Sequence, residues 1–282
     1  MRCNMRSSEE IFGIIKEVAR QFNNICAVCI NGSRVNKSVK KDKYQDFDIV
    51  FIVEDLDKMI IDLKWLDKFG KRIITQYPDL EDLYPSNRKD KFSILMMFDD
   101  YNRIDLTLIP KSYLEKYLEN DSLTEIIYDK ENIIKYNKQP NDEKYWVREP
   151  FQKIFDESIT EFYMIMANVY KGLKRRELLY SIQQMDLARE MLLLNFSWKY
   201  GYEFGYRVNF GKNYKWLPKF LNNEENEKLK QTYSRLDKSE ITYVMYKTIE
   251  IFDEVTFQVA TLLEFKFDKE KYKKVKEYIE YQ

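Results

Sequence analysis

Two short apolar runs, 25–30 and 47–53, constrain this chain more than any other feature. Each has the length of a buried β-strand, and a polar loop separates them. Gly32 and Ser33 follow the first run at once, and Asp46-Phe47-Asp48 opens the second. Side chains two residues apart on a strand point to the same face, so we expect Asp46 and Asp48 to project together.

The paired carboxylates and the Gly-Ser turn predict a metal–nucleotide site. Two neighbouring carboxylates repel each other unless a cation lies between them, and Mg²⁺ prefers such oxygen ligands. Backbone amides at Gly32 and Ser33, with the guanidinium of Arg34, suit an anionic triphosphate. Both motifs also occur in ordinary turns, and from these residues alone the two interpretations are equally open.

The same motifs resemble those of the polymerase-β-like nucleotidyltransferase superfamily. Its signature is a Gly-Ser pair, an Asp-x-Asp motif and a third carboxylate on a later strand. The longer string from Asn31 to Phe51, NGSRVNKSVKKDKYQDFDIVF, resembles the aminoglycoside 6-adenylyltransferases, the streptomycin-modifying branch. Further matching motifs extend the resemblance over most of the chain.

Asp105 is the candidate third carboxylate. It interrupts an apolar strand with the sequence RIDLTLIP, which resembles the family closely. A single acid in such a strand can instead face solvent at a sheet edge. The resemblance implies that Asp105 joins Asp46 and Asp48 in one site. There it either binds a metal near the attacking hydroxyl or acts as the general base.

The order of patterns predicts an α+β protein. Strands and helices alternate over the first 110 residues, and later apolar residues recur at helical spacing. We predict a nucleotidyltransferase-type mixed β-sheet domain with flanking helices over 1–136, a linker over 137–149, and an all-α helical bundle for substrate binding over 150–282. The predicted strands are 25–30, 47–53, 72–77, 92–98 and 103–109, with helices at 8–22, 57–69, 155–173, 178–196, 241–262, near 215–235 and 268–280, and a loop over 78–91.

Composition excludes several classes of function. The 47 basic and 47 acidic residues balance, so the chain lacks the basic excess of a nucleic-acid-binding protein. We expect no nucleic-acid partner. No apolar run approaches the roughly 20 residues that span a bilayer, and the N-terminus lacks a signal-peptide core. We therefore expect no membrane association and a cytoplasmic location.

Cys26 and Cys29 form a C-x-x-C pair, which can indicate zinc or redox chemistry. Residues three apart on a strand face opposite sides, the chain has no second pair, and it contains no histidine. We expect buried free thiols instead. The missing histidine also means that any general base is a carboxylate, lysine or tyrosine.

Polar residues in the helical half form the predicted substrate surface. Glu157, Glu161 and Lys171 lie on a stripe beside the apolar one, which can be an exposed face or the lining of a cleft. The resemblance implies that Glu161 holds a cationic amine or accepts the hydroxyl proton. It also implies triphosphate contacts from Lys171, in KGLKRRE, and from Lys212 and Lys215, in GKNYK.

One position departs from the family pattern. Where an Asp-His pair is usual, this chain has Gln183-Gln184, and Asp186 one turn later is the candidate replacement. The resemblance implies Mg²⁺-dependent transfer of AMP from ATP to a cationic aminoglycoside, with the 6-hydroxyl of streptomycin as first choice and pyrophosphate released. Two alternatives stay open: a different acceptor (another antibiotic, a protein or an RNA), or a nucleotide-binding regulator without catalysis.

Overall fold

The computed structural model describes residues 5–86, 90–135 and 139–280. The chain divides into two compact units between Lys144 and Tyr145. The first contains the β-sheet and the second is helical, which confirms the α+β prediction. The predicted linker, 137–149, spans this division, and its first two residues lie outside the described ranges. The catalytic and substrate-binding roles assigned to the two units stay predictions.

The first unit is built on one six-stranded mixed sheet with the order β3-β4-β5-β2-β1-β6. Strands β2 and β5 pair in parallel, whereas the other neighbours are antiparallel. The predicted strands are all present. Their bounds are β1 Ile25–Asn31, β2 Phe47–Val53, β3 Arg72–Gln76, β4 Phe92–Phe98, β5 Arg103–Pro110 and β6 Thr124–Asp129.

Helices cover both faces of the central strands. Helix α1 (Ser8–Gln21) begins with a capping box between Ser7 and Glu10 and packs Ile11 and Ile15 onto one face. Helix α3 (Leu114–Asn120) packs onto the other face. Strand β1 is consequently buried along its whole length. This two-sided burial explains why β1 and β2 read as continuous apolar runs rather than alternating ones.

Cys26 and Cys29 are buried free thiols on β1, as predicted. Burial raises the pKa of Cys26 to about 11 and that of Cys29 to about 12. Both groups therefore stay protonated at neutral pH, and neither is a reactive thiolate.

Two sequence predictions in this unit need correction. The helix expected over 57–69 is instead a short helix α2 (Leu56–Ile61) followed by a 3₁₀ segment, Leu63–Phe69. Asp62 separates them because its side chain accepts a hydrogen bond from the amide of Lys64 at 3.0 Å and its backbone is extended. The predicted loop over 78–91 contains a 3₁₀ turn at Pro78–Leu80, and its residues 87–89 lie outside the described ranges. Helix α3 and strand β6 were not predicted from the sequence.

The second unit is a helical bundle, which confirms the three predicted apolar stripes. The Phe162 and Phe252 rings stack in its core with centroids 3.6 Å apart. The helix expected near 215–235 is shorter than predicted, because Pro218 lies in a separate 3₁₀ turn. No helix in the described ranges is long and apolar enough to cross a membrane. The helices are α4 Gln152–Arg175, α5 Leu178–Glu203, α6 Asn223–Lys230, α7 Lys238–Leu262 and α8 Lys269–Glu280.

A buried ion pair joins the start of the described chain to the β4–β5 hairpin. Asp100 is only 2% exposed. Its carboxylate accepts hydrogen bonds from Arg6 Nε at 2.6 Å and from Asn102 Nδ2 at 2.8 Å. Burial alone would raise the pKa of Asp100, but the bonds from Arg6 and Asn102 hold it well below its usual range. The ionised carboxylate therefore stabilises the folded first unit.

We predict that Asp100→Asn lowers the free energy of unfolding by about 2–4 kcal/mol at pH 7, because it leaves Arg6 without its buried partner. A carboxyl with a depressed pKa contributes fully above its unfolded pKa of about 3.9, and this contribution is lost as pH falls further. Denaturant unfolding at pH 7, 5, 4 and 3 should show a shallower acid loss in the variant. Glu17→Gln, which removes an exposed pair with Arg20, is the matched control. Parallel pH curves for Asp100→Asn and the unmodified protein would contradict the assignment.

Candidate functional site

A tight turn follows β1 and faces the first residues of β2. Residues Gly32–Arg34 form a single 3₁₀ turn. Gly32 has a φ of +74°, and a Cβ there would lie 2.6 Å from Asp48 Oδ2. Glycine is therefore required both for the backbone conformation and for the close approach of the carboxylate. The Gly32 amide donates to the Leu123 carbonyl at 3.2 Å, so that donor is already used within the protein.

Buried Asn31 anchors this turn to the segment that leads into β6. Its Nδ2 donates to Asp121 Oδ2 at 2.7 Å and to Thr124 Oγ1 at 2.9 Å. Its Oδ1 accepts from the Tyr117 hydroxyl, and burial raises the pKa of Tyr117 far above its usual range. The Asn31 side chain is thus hydrogen-bonded on both its donor and acceptor sides, which fixes the end of β1.

Arg34, predicted to contact phosphate, turns inward in this structure. Its Nε donates to the Asp46 carbonyl at 2.9 Å and its Nη2 to the Gln45 carbonyl at 2.5 Å. Its guanidinium also lies 3.5 Å from the centroid of the Phe47 ring. These contacts fix the end of the loop that carries Asp46. A role for Arg34 in nucleotide binding stays a prediction.

The three predicted catalytic carboxylates lie on adjacent strands. Asp48 on β2 is the register partner of Asp105 on β5. Partners on parallel neighbouring strands project to the same face about 4.8 Å apart. Asp46 lies just before β2, two residues from Asp48, so it belongs to that face as well. The sheet thus brings Asp105 beside Asp48, although the two are 57 residues apart in sequence.

Electrostatics show that these carboxylates act on one another. Burial, followed by the negative charges of Asp105 and Asp46, raises the pKa of Asp48 to about 6. Burial also raises the pKa of Asp46, with Asp105 adding to the rise and Arg103 opposing it. Repulsion between like charges is therefore part of the folded protein, and it favours a bound cation.

Arg103, which was not predicted as a site residue, contacts two of these acids. Its Nε donates to Asp105 Oδ1 at 2.7 Å and its Nη2 to Asp105 Oδ2 at 2.9 Å. The Nε also lies 3.8 Å from Asp46 Oδ2. The sequence held a signal for it, because Arg103 is two residues from Asp105 on the same strand and so shares its face.

The three carboxylates are chemically suited to bind a hard divalent cation. Asp46, Asp48 and Asp105 offer only carboxylate oxygens, the ligands that Mg²⁺ prefers. Within the described part of the chain, however, no three acidic, cysteine or histidine side chains are already grouped as metal ligands. In this structure both Asp105 oxygens accept hydrogen bonds from the Arg103 guanidinium. A metal assignment for these acids stays a prediction.

The residues predicted to bind substrate or phosphate in the helical unit are exposed. Glu157, Glu161 and Lys171 lie along the outer side of α4, and Glu157 is 3.7 Å from Lys153. Lys212 and Lys215 are exposed in and just after a 3₁₀ turn that follows Gly211. These positions agree with a solvated face and leave the binding roles as predictions.

The departure from the family pattern lies on α5. Gln183 is exposed, and its neighbour Gln184 accepts a hydrogen bond from Asn168 Nδ2 on α4 at 3.3 Å. Asp186, the candidate replacement, accepts from Arg189 Nη1 at 2.5 Å. Its carboxylate is therefore partly neutralised by a buried guanidinium, although its side chain is 62% exposed.

Comparisons with known proteins agree with the motifs. The chain is 37% identical over 264 residues to an aminoglycoside 6-adenylyltransferase of Campylobacter jejuni, covering 93% of this chain and 91% of that one. It is 35% identical over 265 residues to the protein of that name from Bacillus subtilis (strain 168), covering 93% of both. A crystal structure of an aminoglycoside 6-adenyltransferase from Bacillus subtilis aligns with a TM-score of 0.48 and 31% identity, over 98% of this chain and 100% of that one.

A family model described as streptomycin adenylyltransferase matches residues 5–282. The match extends over both units, and the relatives are similar to this chain over nearly their whole length. The resemblance inferred from the turn and the carboxylates is therefore confirmed, and the chain belongs to the streptomycin adenylyltransferase family of nucleotidyltransferase enzymes.

Proposed function

We propose that this protein transfers AMP from ATP to the 6-hydroxyl of streptomycin in a Mg²⁺-dependent reaction that releases pyrophosphate. The observation that carries the proposal is the pairing of Asp48 with Asp105 across β2 and β5, beside a glycine turn that the Asp48 carboxylate approaches closely. Membership of the family supplies the reaction class. The reaction uses cytoplasmic ATP, in keeping with the location expected from the sequence.

Asp46, Asp48 and Asp105 are the residues that would hold Mg²⁺. Bound by these residues, the ion would supply Lewis-acid polarisation of the α-phosphate and charge neutralisation for the departing pyrophosphate. The protein contributes an acidic face whose members repel one another without a cation. It also fixes their positions through the β2–β5 register and through the bonds of Arg34 to the loop before Asp46.

The chain has no histidine, and of the remaining bases we propose a carboxylate for proton removal from the acceptor hydroxyl. Asp105 is one candidate, since it lies on the sheet beside Asp48. Glu161 on the exposed side of α4 is the other. For the triphosphate, Ser33 and its own backbone amide are the proposed contacts within the first unit, and Lys171, Lys212 and Lys215 are the proposed cations from the second.

The acceptor is proposed from charge and from the names of the relatives. An aminoglycoside carries several positive charges, so its pocket should contain carboxylates beyond those that bind metal. Glu157, Glu161 and Asp186 are the candidates. Because Lys153 and Arg189 already neutralise part of the charge on Glu157 and Asp186, Glu161 is the acid expected to contribute most.

We predict that Asp48→Asn removes at least about 99% of turnover, because a neutral amide is a poor Mg²⁺ ligand and Lewis-acid catalysis contributes several kcal/mol. The same change should keep or increase stability without metal. Because the pKa of Asp48 is raised in the folded protein, ionisation of this carboxyl lowers the free energy of unfolding as pH rises from about 4 through 6. Above pH 7, Asp48→Asn should therefore raise the free energy of unfolding by up to about 3 kcal/mol. Pyrophosphate release and denaturant unfolding in EDTA measure the two effects. Asp57→Asn, at an exposed position on α2, is the control, and near-normal turnover in Asp48→Asn would contradict the metal assignment.

We predict that streptomycin gives the highest kcat/KM in a panel of aminoglycosides assayed with Mg²⁺ and ATP. Glu161→Gln should lower that value about 10-fold or more, since a hydrogen bond to a charged group contributes about 1.5–3 kcal/mol. Gln183→Asp should leave it unchanged or improve it by restoring an acid. Glu227→Gln, which removes an exposed pair with Lys230, is the control. If no aminoglycoside is modified while Mg·ATP still binds, the acceptor assignment is wrong and the nucleotidyltransferase site stands.

A further inference from the structure

We propose that Arg103 is a built-in counter-ion that competes with the divalent cation for Asp105 and Asp46. This inference rests on the metal site of the proposed function and goes beyond it. It concerns what occupies the acidic face before the metal arrives and what sets the affinity for the metal. The observation behind it is the bidentate pair between Arg103 and Asp105, with Asp46 at 3.8 Å.

The strand register makes this contact a property of the sheet. Phe47 pairs with Ile104 and Asp48 with Asp105, so Asp46 and Arg103 are the next positions along the two parallel strands. Arg103 is therefore two residues from Asp105 on β5. It also lies opposite Asp46, the residue that precedes β2. On its other side it pairs with Met97 of β4, which offers no charge. The guanidinium is thus directed to the acids.

The same oxygen atoms serve both cations. Mg²⁺ binds carboxylate oxygens at about 2.0–2.1 Å, and Arg103 already engages both oxygens of Asp105. A guanidinium held there also repels an incoming divalent ion. Each oxygen keeps a second lone pair, but sharing it with a metal weakens its bond to Arg103. The free energy that the ion pair loses in this way is subtracted from the metal affinity.

Arg34, the other arginine near the acids, cannot take this role in the same way. Its guanidinium donates to the carbonyls of Gln45 and Asp46 and to Ser8 Oγ. Those contacts hold the loop in place and involve no carboxylate. The guanidinium of Arg103, by contrast, contacts the carboxylates of Asp105 and Asp46, so its release exchanges one cation for another without breaking a bond to a backbone carbonyl.

Binding of Mn²⁺ without nucleotide tests the inference, with free Mn²⁺ followed by electron paramagnetic resonance. Arg103→Gln should bind Mn²⁺ about tenfold more tightly or better, the effect expected for removing one like charge within about 4–6 Å. Arg103→Lys keeps the positive charge but cannot form the bidentate pair. Its affinity for Mn²⁺ should lie between those of Arg103→Gln and the unmodified protein. In EDTA, Arg103→Gln should unfold at a lower temperature than the unmodified protein and gain more from added Mn²⁺.

Lys111→Gln is the matched control. Lys111 directly follows β5 at the opposite end from Arg103, and it also pairs with two acids, Glu54 and Glu131. The Lys111→Gln variant loses one positive charge from the same unit. Because long-range electrostatic interactions are screened, the Mn²⁺ affinity of this variant should stay within about twofold of that of the unmodified protein.

The failures are distinguishable. Mn²⁺ affinities of Arg103→Gln and Arg103→Lys that equal or fall below that of the unmodified protein, while Asp48→Asn abolishes binding, would overturn the counter-ion role and leave the metal site intact. Absence of Mn²⁺ binding in the unmodified protein, or full binding in Asp48→Asn, would overturn the metal site and this inference with it. If Arg103→Gln does not fold, the comparison of Arg103→Lys with the unmodified protein decides in the same way.

Discussion

The parallel pairing of β2 with β5 is the contact on which the acidic face depends. It sets Asp48 opposite Asp105 and brings the residue before β2 beside the first residue of β5. A slip of one residue would turn one of the two acids to the opposite face of the sheet. Apolar residues on both strands resist such a slip, because both faces of this region are covered by helices. The hydrophobic core and the site are therefore specified by the same register.

Several polar contacts then hold the β1–β2 connection against that pair of strands. Asn31 fixes its beginning through Asp121, Thr124 and Tyr117, and Arg34 fixes its end through two backbone carbonyls. Gly32 between them allows the turn to lie directly against the Asp48 carboxylate. A loop of this length would otherwise be mobile, and side-chain bonds to the backbone give it one conformation.

Much of this organisation could be predicted from the sequence because it follows from local periodicity. The first five strands, the three apolar helical stripes and the alignment of Asp46 with Asp48 all follow from runs of apolar residues or from spacings of two, three or four residues. The break at Asp62 and the edge strand β6 could not be predicted in that way, since side-chain capping and pairing with β1 create them. Arg34 shows a further limit: its residue type suits phosphate, whereas its position relative to the Gln45 and Asp46 carbonyls, set by the fold, directs it inward.

The acidic face also lowers the stability of the fold. A carboxylate at position 48 is partly buried beside two others, and this raises its pKa to about 6. At neutral pH it is nevertheless ionised, so the protein keeps an unfavourable concentration of negative charge within its sheet. Natural proteins retain such groups where a charged ligand must bind, and the rest of the fold compensates. Here the compensation has two sources: the hydrophobic packing around the strands, and the guanidinium of Arg103, which neutralises part of the charge through its pairs with Asp105 and Asp46.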